Sequence, residues 1–229
     1  MLKGVSRSFY LTLRLLPGPM RNAASLGYLL ARTSDTLADS ATIPVAARSL
    51  SLDRFRTCIL EGTDFQKWPV SVLNAVPDVR ERHLLERTGE ILTGLHGLSN
   101  CEAVLVREVL EIIISGQALD LERFADATGE NPVTLEDDAA LEDYAWRVAG
   151  CVGAFWTKLG FLTLGELVHR VSGKTVAEFA AENIFQPLGM QESGYTPSDE
   201  LSQRAATTEE RDGEWMRGDV HDPRAWLLD

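Results

Sequence analysis

Residues 28–39 read YLLARTSDTLAD. Alanines and leucines fill its interior, and Pro19 suits the start of a helix over residues 19–40. On a helix that turns about 100° per residue, Tyr28, Arg32, Asp35 and Asp39 share one stripe, stepping four, three and four. Two carboxylates one turn apart can hold hard, oxygen-seeking Mg2+, which keeps some of its waters and takes its other ligands from substrate phosphates. An Arg one turn earlier can pair with phosphate oxygens or orient Asp35. A Tyr one turn before that adds a hydroxyl to an otherwise apolar wall. The same Asp-x-x-x-Asp spacing is common on solvated helix faces, where like charges cost only about a few tenths of a kcal/mol. The pair alone therefore assigns no function.

Helical spacing continues on the C-terminal side. A break at Ile43-Pro44 precedes a second helix, and the segment around Pro69 and Pro77 reads as a loop. Residues 79–98 repeat apolar positions at helical spacing, and 101–126 form the longest such run. After a turn at ATGENPVT comes another helix over 135–160, with acids in its first turns as the helix dipole prefers. The fold expected is all-α.

The chain has 229 residues, 45% hydrophobic and 24% charged, which supports a packed globular core. Its net charge of −12 excludes general nucleic-acid binding, which needs a basic surface. It does not exclude a diphosphate ligand, because metal ions bridge acidic side chains to acidic ligands. Cys58, Cys101 and Cys151 are an odd, widely spaced set with neither a disulfide framework nor zinc spacing, so a reduced, cytoplasmic setting is expected. Arg7 and Arg14 interrupt the N-terminal apolar run and no small-residue cleavage site follows, so no signal peptide is read there. No uninterrupted apolar run reaches the roughly 20 residues that span a bilayer.

Three further motifs accompany the stripe: VSRSFYLTLRLLP before it, SGQALDLERF at 115–124 and DYAWRVAGCVG at 143–153. This ordered set resembles the squalene/phytoene synthase family over roughly residues 1–160. The resemblance implies an isoprenoid-synthase barrel of helices around an apolar cavity, here partial. It implies Mg2+-dependent head-to-head condensation of prenyl diphosphates, with NADPH also required if squalene is the product. By position, Asp35 and Asp39 match the first aspartate motif and so the metal ligands. Ser6, Arg7 and Ser8 match the flap over the diphosphate, and Tyr28 and Arg32 the pocket just before the metal motif. Gln117 and Asp120 lie on the next cavity helix. Tyr144 opens the family's Tyr-x-x-x-Val-Ala-Gly-x-Val-Gly segment, where Gly150 and Gly153 are expected to allow close helix contact. An apolar product implies peripheral membrane contact for its release. The family's second aspartate motif should follow that segment, and nothing like it does, so impaired turnover is expected.

From Phe161 the text changes. FLTLGELVHRVSGKTVAEFAAENIFQPLGMQESGY and then RGDVHDPRAW resemble the serine beta-lactamase-like hydrolases. Helices are expected on either side of Ser172-Gly173, followed by a polar, loop-rich segment. That family's catalytic Ser-x-x-Lys and Tyr-x-Asn/Ser motifs have no counterpart here. SGKT at 172–175 is no phosphate loop, because the first glycine of that motif would fall at Val168. The expected organisation is therefore 1–160 joined to 161–229, with no hydrolase nucleophile–base pair.

Overall fold

Helix α3, Gly18–Asp39, is the axis on which the N-terminal part is built, with Pro19 in its first turn. In this computed structural model, all residues are described except 1, 7, 8, 126, 129, 196, 197, 212, 213 and 219–229. Two short helices, α1 (Leu2–Val5) and α2 (Phe9–Leu15), precede α3. After it come α4 (Val45–Glu61), α5 (Val70–Ala75), α6 (Val79–Glu86), α7 (Thr88–Leu95) and α8 (Asn100–Arg123). Then follow α9 (Asp138–Ala145), a π-helical turn Trp146–Gly150, and α10 (Cys151–Ser172).

Helix α3 packs against α8, α4, α7 and α6. Its side toward them carries Ala23, Ala24, Gly27, Leu30, Ser34 and Leu37, all buried. Leu52, Phe55 and Ile59 of α4 and Val106, Leu110 and Ile114 of α8 complete this core. Each large side chain here contributes roughly 1.5–3 kcal/mol by leaving water. Three buried hydroxyls on α3 are satisfied within the helix: Thr33 and Thr36 donate to the carbonyls of Leu29 and Arg32, and Ser34 to that of Ala31. They offer nothing to a ligand. Trp68 donates from Nε1 to Thr88 across 3.0 Å and meets Phe55 and Phe65 edge-on.

The capping chemistry sets the element starts. Asp78 accepts from the backbone N–H groups of Arg80 and Glu81 and begins α6. Ser99 and Glu102 form a reciprocal capping box at the start of α8. Gly62 ends α4 in the left-handed conformation, at φ 67°.

The expected single helix over 79–98 is divided at Arg87, and α5 occupies part of the expected loop. The helical run Asp138–Ser172 contains an 18-residue window of mean hydropathy 1.3, enough by length and composition alone to cross a bilayer. Lys158 interrupts it and bonds Glu108 across 3.0 Å, while Cys151, Phe155 and Leu159 are buried. Gly150 and Gly153 differ from expectation. Both are exposed; a Cβ at Gly150 meets its own helix's Trp146, and one at Gly153 meets nothing within 4 Å among the described residues. The close approach belongs instead to Gly116, where a Cβ would lie 2.8 Å from the Cβ of Arg147.

The chain divides into two compact units, Met1–Leu159 and Gly160–Asp229, so the division falls within α10. The second unit holds the end of α10, α11 (Val176–Ala180) with a π-helical turn Ala181–Phe185, and α12 (Asp199–Arg204). A two-stranded antiparallel hairpin, β1 (Thr207–Arg211) and β2 (Glu214–Arg217), departs from the expected loop. Among the described residues of this unit only Ala180 is buried. Phe161, Leu164, Leu167 and Val171 are all exposed. Among its described residues this unit has no hydrophobic core of its own.

Candidate functional site

Three helices of the first unit bring polar side chains together. From α3, Arg32 and Asp35 stand one turn apart, with Arg32 Nη1 lying 3.9 Å from Asp35 Oδ2. From α8, Gln117 donates from Nε2 to Asp35 Oδ1 across 2.5 Å. From α6, Glu81 accepts from Arg32 Nη2. Among the described residues, Arg32 Nε and Gln117 Oε1 are both buried without a hydrogen-bond partner. One open donor and one open acceptor therefore flank Asp35.

Burial pushes the Asp35 carboxyl up to about 6. Desolvation is the largest cause and the charges of Asp39 and Glu81 add to it, while Arg32 and the Gln117 hydrogen bond pull the other way. The side chain is still 41% exposed, so ligands from solution can reach it. Asp39, one turn on, is exposed.

Tyr28 stacks on Phe9 with ring centroids 5.5 Å apart, and its hydroxyl lies 3.4 Å from the Val5 carbonyl it donates to. Ser6 is buried and donates to the Leu2 carbonyl, so its hydroxyl serves the N-terminal turn. Arg7 and Ser8 lie outside the described residues. The remaining predicted positions form a separate group. Tyr144 meets Phe124 edge-on at 6.5 Å. Asp143 accepts from Arg147 across 2.8 Å and from Arg123 across 3.4 Å, and Arg147 also donates to Ser115. Burial raises the Asp120 carboxyl; Arg123 lowers it and Asp143 raises it further.

The structure thus joins Arg32, Asp35 and Gln117, and holds Asp120 and Tyr144 near the α8–α9 contacts. Glu81 and Arg147 were not foreseen. Glu81 sits three residues after Asp78, where an acid reads as a helix-start device. Among the described residues no three His, Cys, Asp or Glu side chains group closely enough to cage a metal. Mg2+ needs no such cage: one or two carboxylates, its own waters and substrate phosphates suffice. The charge of Asp39 reaches Asp35, so the two carboxylates are a donor set of the chemical kind that Mg2+ takes. Arg32 Nε is an unpaired donor and Gln117 Oε1 an unpaired acceptor within this cluster.

Residues 2–175 match the squalene/phytoene synthase family. The chain belongs to that family. It is 26% identical over 160 residues to a squalene synthase of Schizosaccharomyces pombe, covering 69% of this chain and 33% of the relative. A squalene synthase of Saccharomyces cerevisiae is 27% identical over 196 residues, covering 84% of this chain and 38% of the relative. Two solved structures of TcSQS with bound ligands align at TM-scores of 0.55 and 0.57, with 28% and 27% identity. They cover 69% and 72% of this chain and 41% and 43% of theirs. The helical architecture is therefore an isoprenoid-synthase fold, and the chain spans less than half the length of these relatives. Residues 153–226 match the beta-lactamase family, so most of α10 is claimed by both.

Proposed function

We propose that this chain is a prenyl transferase of the squalene/phytoene synthase type. It binds prenyl diphosphates with Mg2+, and its head-to-head condensation is impaired for want of the second aspartate motif. The observation that carries this reading is the cluster at Asp35, where Arg32 and Gln117 converge from two helices and leave a buried donor and acceptor open.

Mg2+, when bound, neutralises charge on the leaving diphosphate. Asp35 and Asp39 would hold it. Arg32 would bind phosphate oxygens and keep the diphosphate in line with the stripe. Gln117 fixes the rotamer of Asp35 from the opposite helix, so that the carboxylate is aimed before the ligand arrives. Phe9 stacked on Tyr28 would present an aromatic wall to the apolar part of the substrate. Tyr144, by its match to the family's segment, would supply an aromatic ring to a developing allylic cation. The reading extends to a cytoplasmic chain that meets a membrane periphery as an apolar product departs.

The test is incubation of the purified chain with a prenyl diphosphate and Mg2+, followed by extraction of apolar products. Weak or absent condensation alongside measurable binding is expected, and robust squalene or phytoene formation would refute the impairment. Binding indifferent to Mg2+ would point instead to a non-catalytic isoprenoid binder.

A further inference from the structure

We propose that Glu81 is a positioning residue for Arg32, an inference that rests on the prenyl-transferase reading for its functional consequence. The geometry comes from α6. The Asp78 cap fixes the first turn of that helix, and Glu81 is its third residue, directed at α3. Arg32 and Glu81 are 49 positions apart, and their side chains are only 27% and 24% exposed.

A guanidinium offers five N–H donors in a rigid fork. Here Nη2 is committed to Glu81, Nη1 stands 3.9 Å from Asp35, and Nε is buried and open. Glu81 thus holds the fork back from Asp35, beyond direct hydrogen-bond distance. Asp78 also feels the Arg32 charge but is engaged in capping α6, so without Glu81 the carboxylate left within 4 Å of Arg32 among the described residues is Asp35. A paired guanidinium–carboxylate fork would then occupy the oxygens that a cation needs and the donors that a phosphate needs. Glu81 therefore keeps metal ligand and phosphate ligand apart until both are engaged.

Two measurements on the full chain test this. The first follows the Arg32 Nε–H resonance by 15N NMR, using Arg32→Lys to assign it. In the wild type it is protected from solvent exchange; in Glu81→Ala it exchanges at least about tenfold faster or shifts as Arg32 swings to Asp35. An unchanged resonance in Glu81→Ala overturns the proposal. The second titrates Mg2+ with inorganic pyrophosphate by calorimetry. Glu81→Ala weakens binding about tenfold and Glu81→Gln less, since the amide keeps an acceptor oxygen. Both effects vanish in an Arg32→Lys background, because Glu81 acts only through the Arg32 fork. A loss that persists there, or one that tracks a fall in Tm, shows a merely structural role and overturns it. If the wild type itself does not bind, the prenyl-transferase reading fails, while the NMR arm still decides whether Glu81 holds Arg32.

Discussion

Gln117 reaches Asp35 across 82 positions of sequence, donating from Nε2 to Oδ1 at 2.5 Å and tying α8 to the acidic stripe of α3. That bond is what aims a half-buried carboxylate before any ligand arrives. Gln117→Leu removes the donor and leaves the helices packed. Mg2+-dependent pyrophosphate affinity should fall about tenfold, as expected for a hydrogen bond to a charged group. Calorimetry on the variant checks this; affinity equal to wild type would mean the contact is only structural.

The Asp35 carboxyl gives the chain a pH signature. In the folded chain it releases its proton near 6, and in the unfolded chain near 3.8. Between those values the folded state binds more protons, so this group's contribution to stability declines as pH rises through that window. At pH 7 ionised Asp35 costs about 1 kcal/mol, allowing for solvent screening of an accessible side chain. Asp35→Asn should raise Tm by roughly 2–4 °C at pH 7 and leave it unchanged below pH 3.8. Thermal melts across this range check the sign. Mg2+ binding should weaken as pH falls through about 6, because protons compete for the same oxygens.

Two glycines separate steric demand from helix propensity. At Gly116 an added Cβ meets the Arg147 Cβ at 2.8 Å, close to the backbone of the facing turn. Gly116→Ala should destabilise by about 1–2 kcal/mol net, since overpacking outweighs the propensity gained. At Gly94 the obstacle is the tip of Leu26, at 2.7 Å. A methyl tip can rotate away, so Gly94→Ala should be close to neutral. Denaturant unfolding of the two variants tests the contrast, and equal effects would contradict it.

The hairpin Thr207–Arg217 sits in a unit whose only buried described residue is Ala180. An isolated two-stranded ribbon is marginal in water. Its amides should exchange with little protection, while those of α3 and α8 approach the global limit. Hydrogen exchange read by mass spectrometry distinguishes the two; slow exchange in the hairpin would mean that something covers it.

Much of the helical frame was legible because each signal was local. Pro19 marks the start of α3, Pro44 that of α4, and the apolar period carries α8 to Arg123. Where two local rules competed, the reading slipped. Arg87 divides an apolar pattern that runs through it, and PVSVLNAVP forms a helix between its prolines because Pro69 occupies a helix-start position. The hairpin strand TTEER has no alternation of apolar and polar residues to announce it. The stripe of Arg32 and Asp35 follows from spacing alone. Its partners do not: the resemblance alone puts Gln117 on a cavity helix, nothing in the sequence points to Glu81, and the packing of α8 and α6 against α3 brings both to the stripe.

In the proposed function, Asp35 and Asp39 together grip Mg2+ against a diphosphate. Calorimetric titration of farnesyl diphosphate into the wild type and into Asp35→Ala/Asp39→Ala, each with and without Mg2+, tests it most directly. Metal-dependent binding by the wild type and a loss of at least about tenfold in the double variant are expected. Equal binding by the two proteins, or none by the wild type at saturating Mg2+, would contradict it.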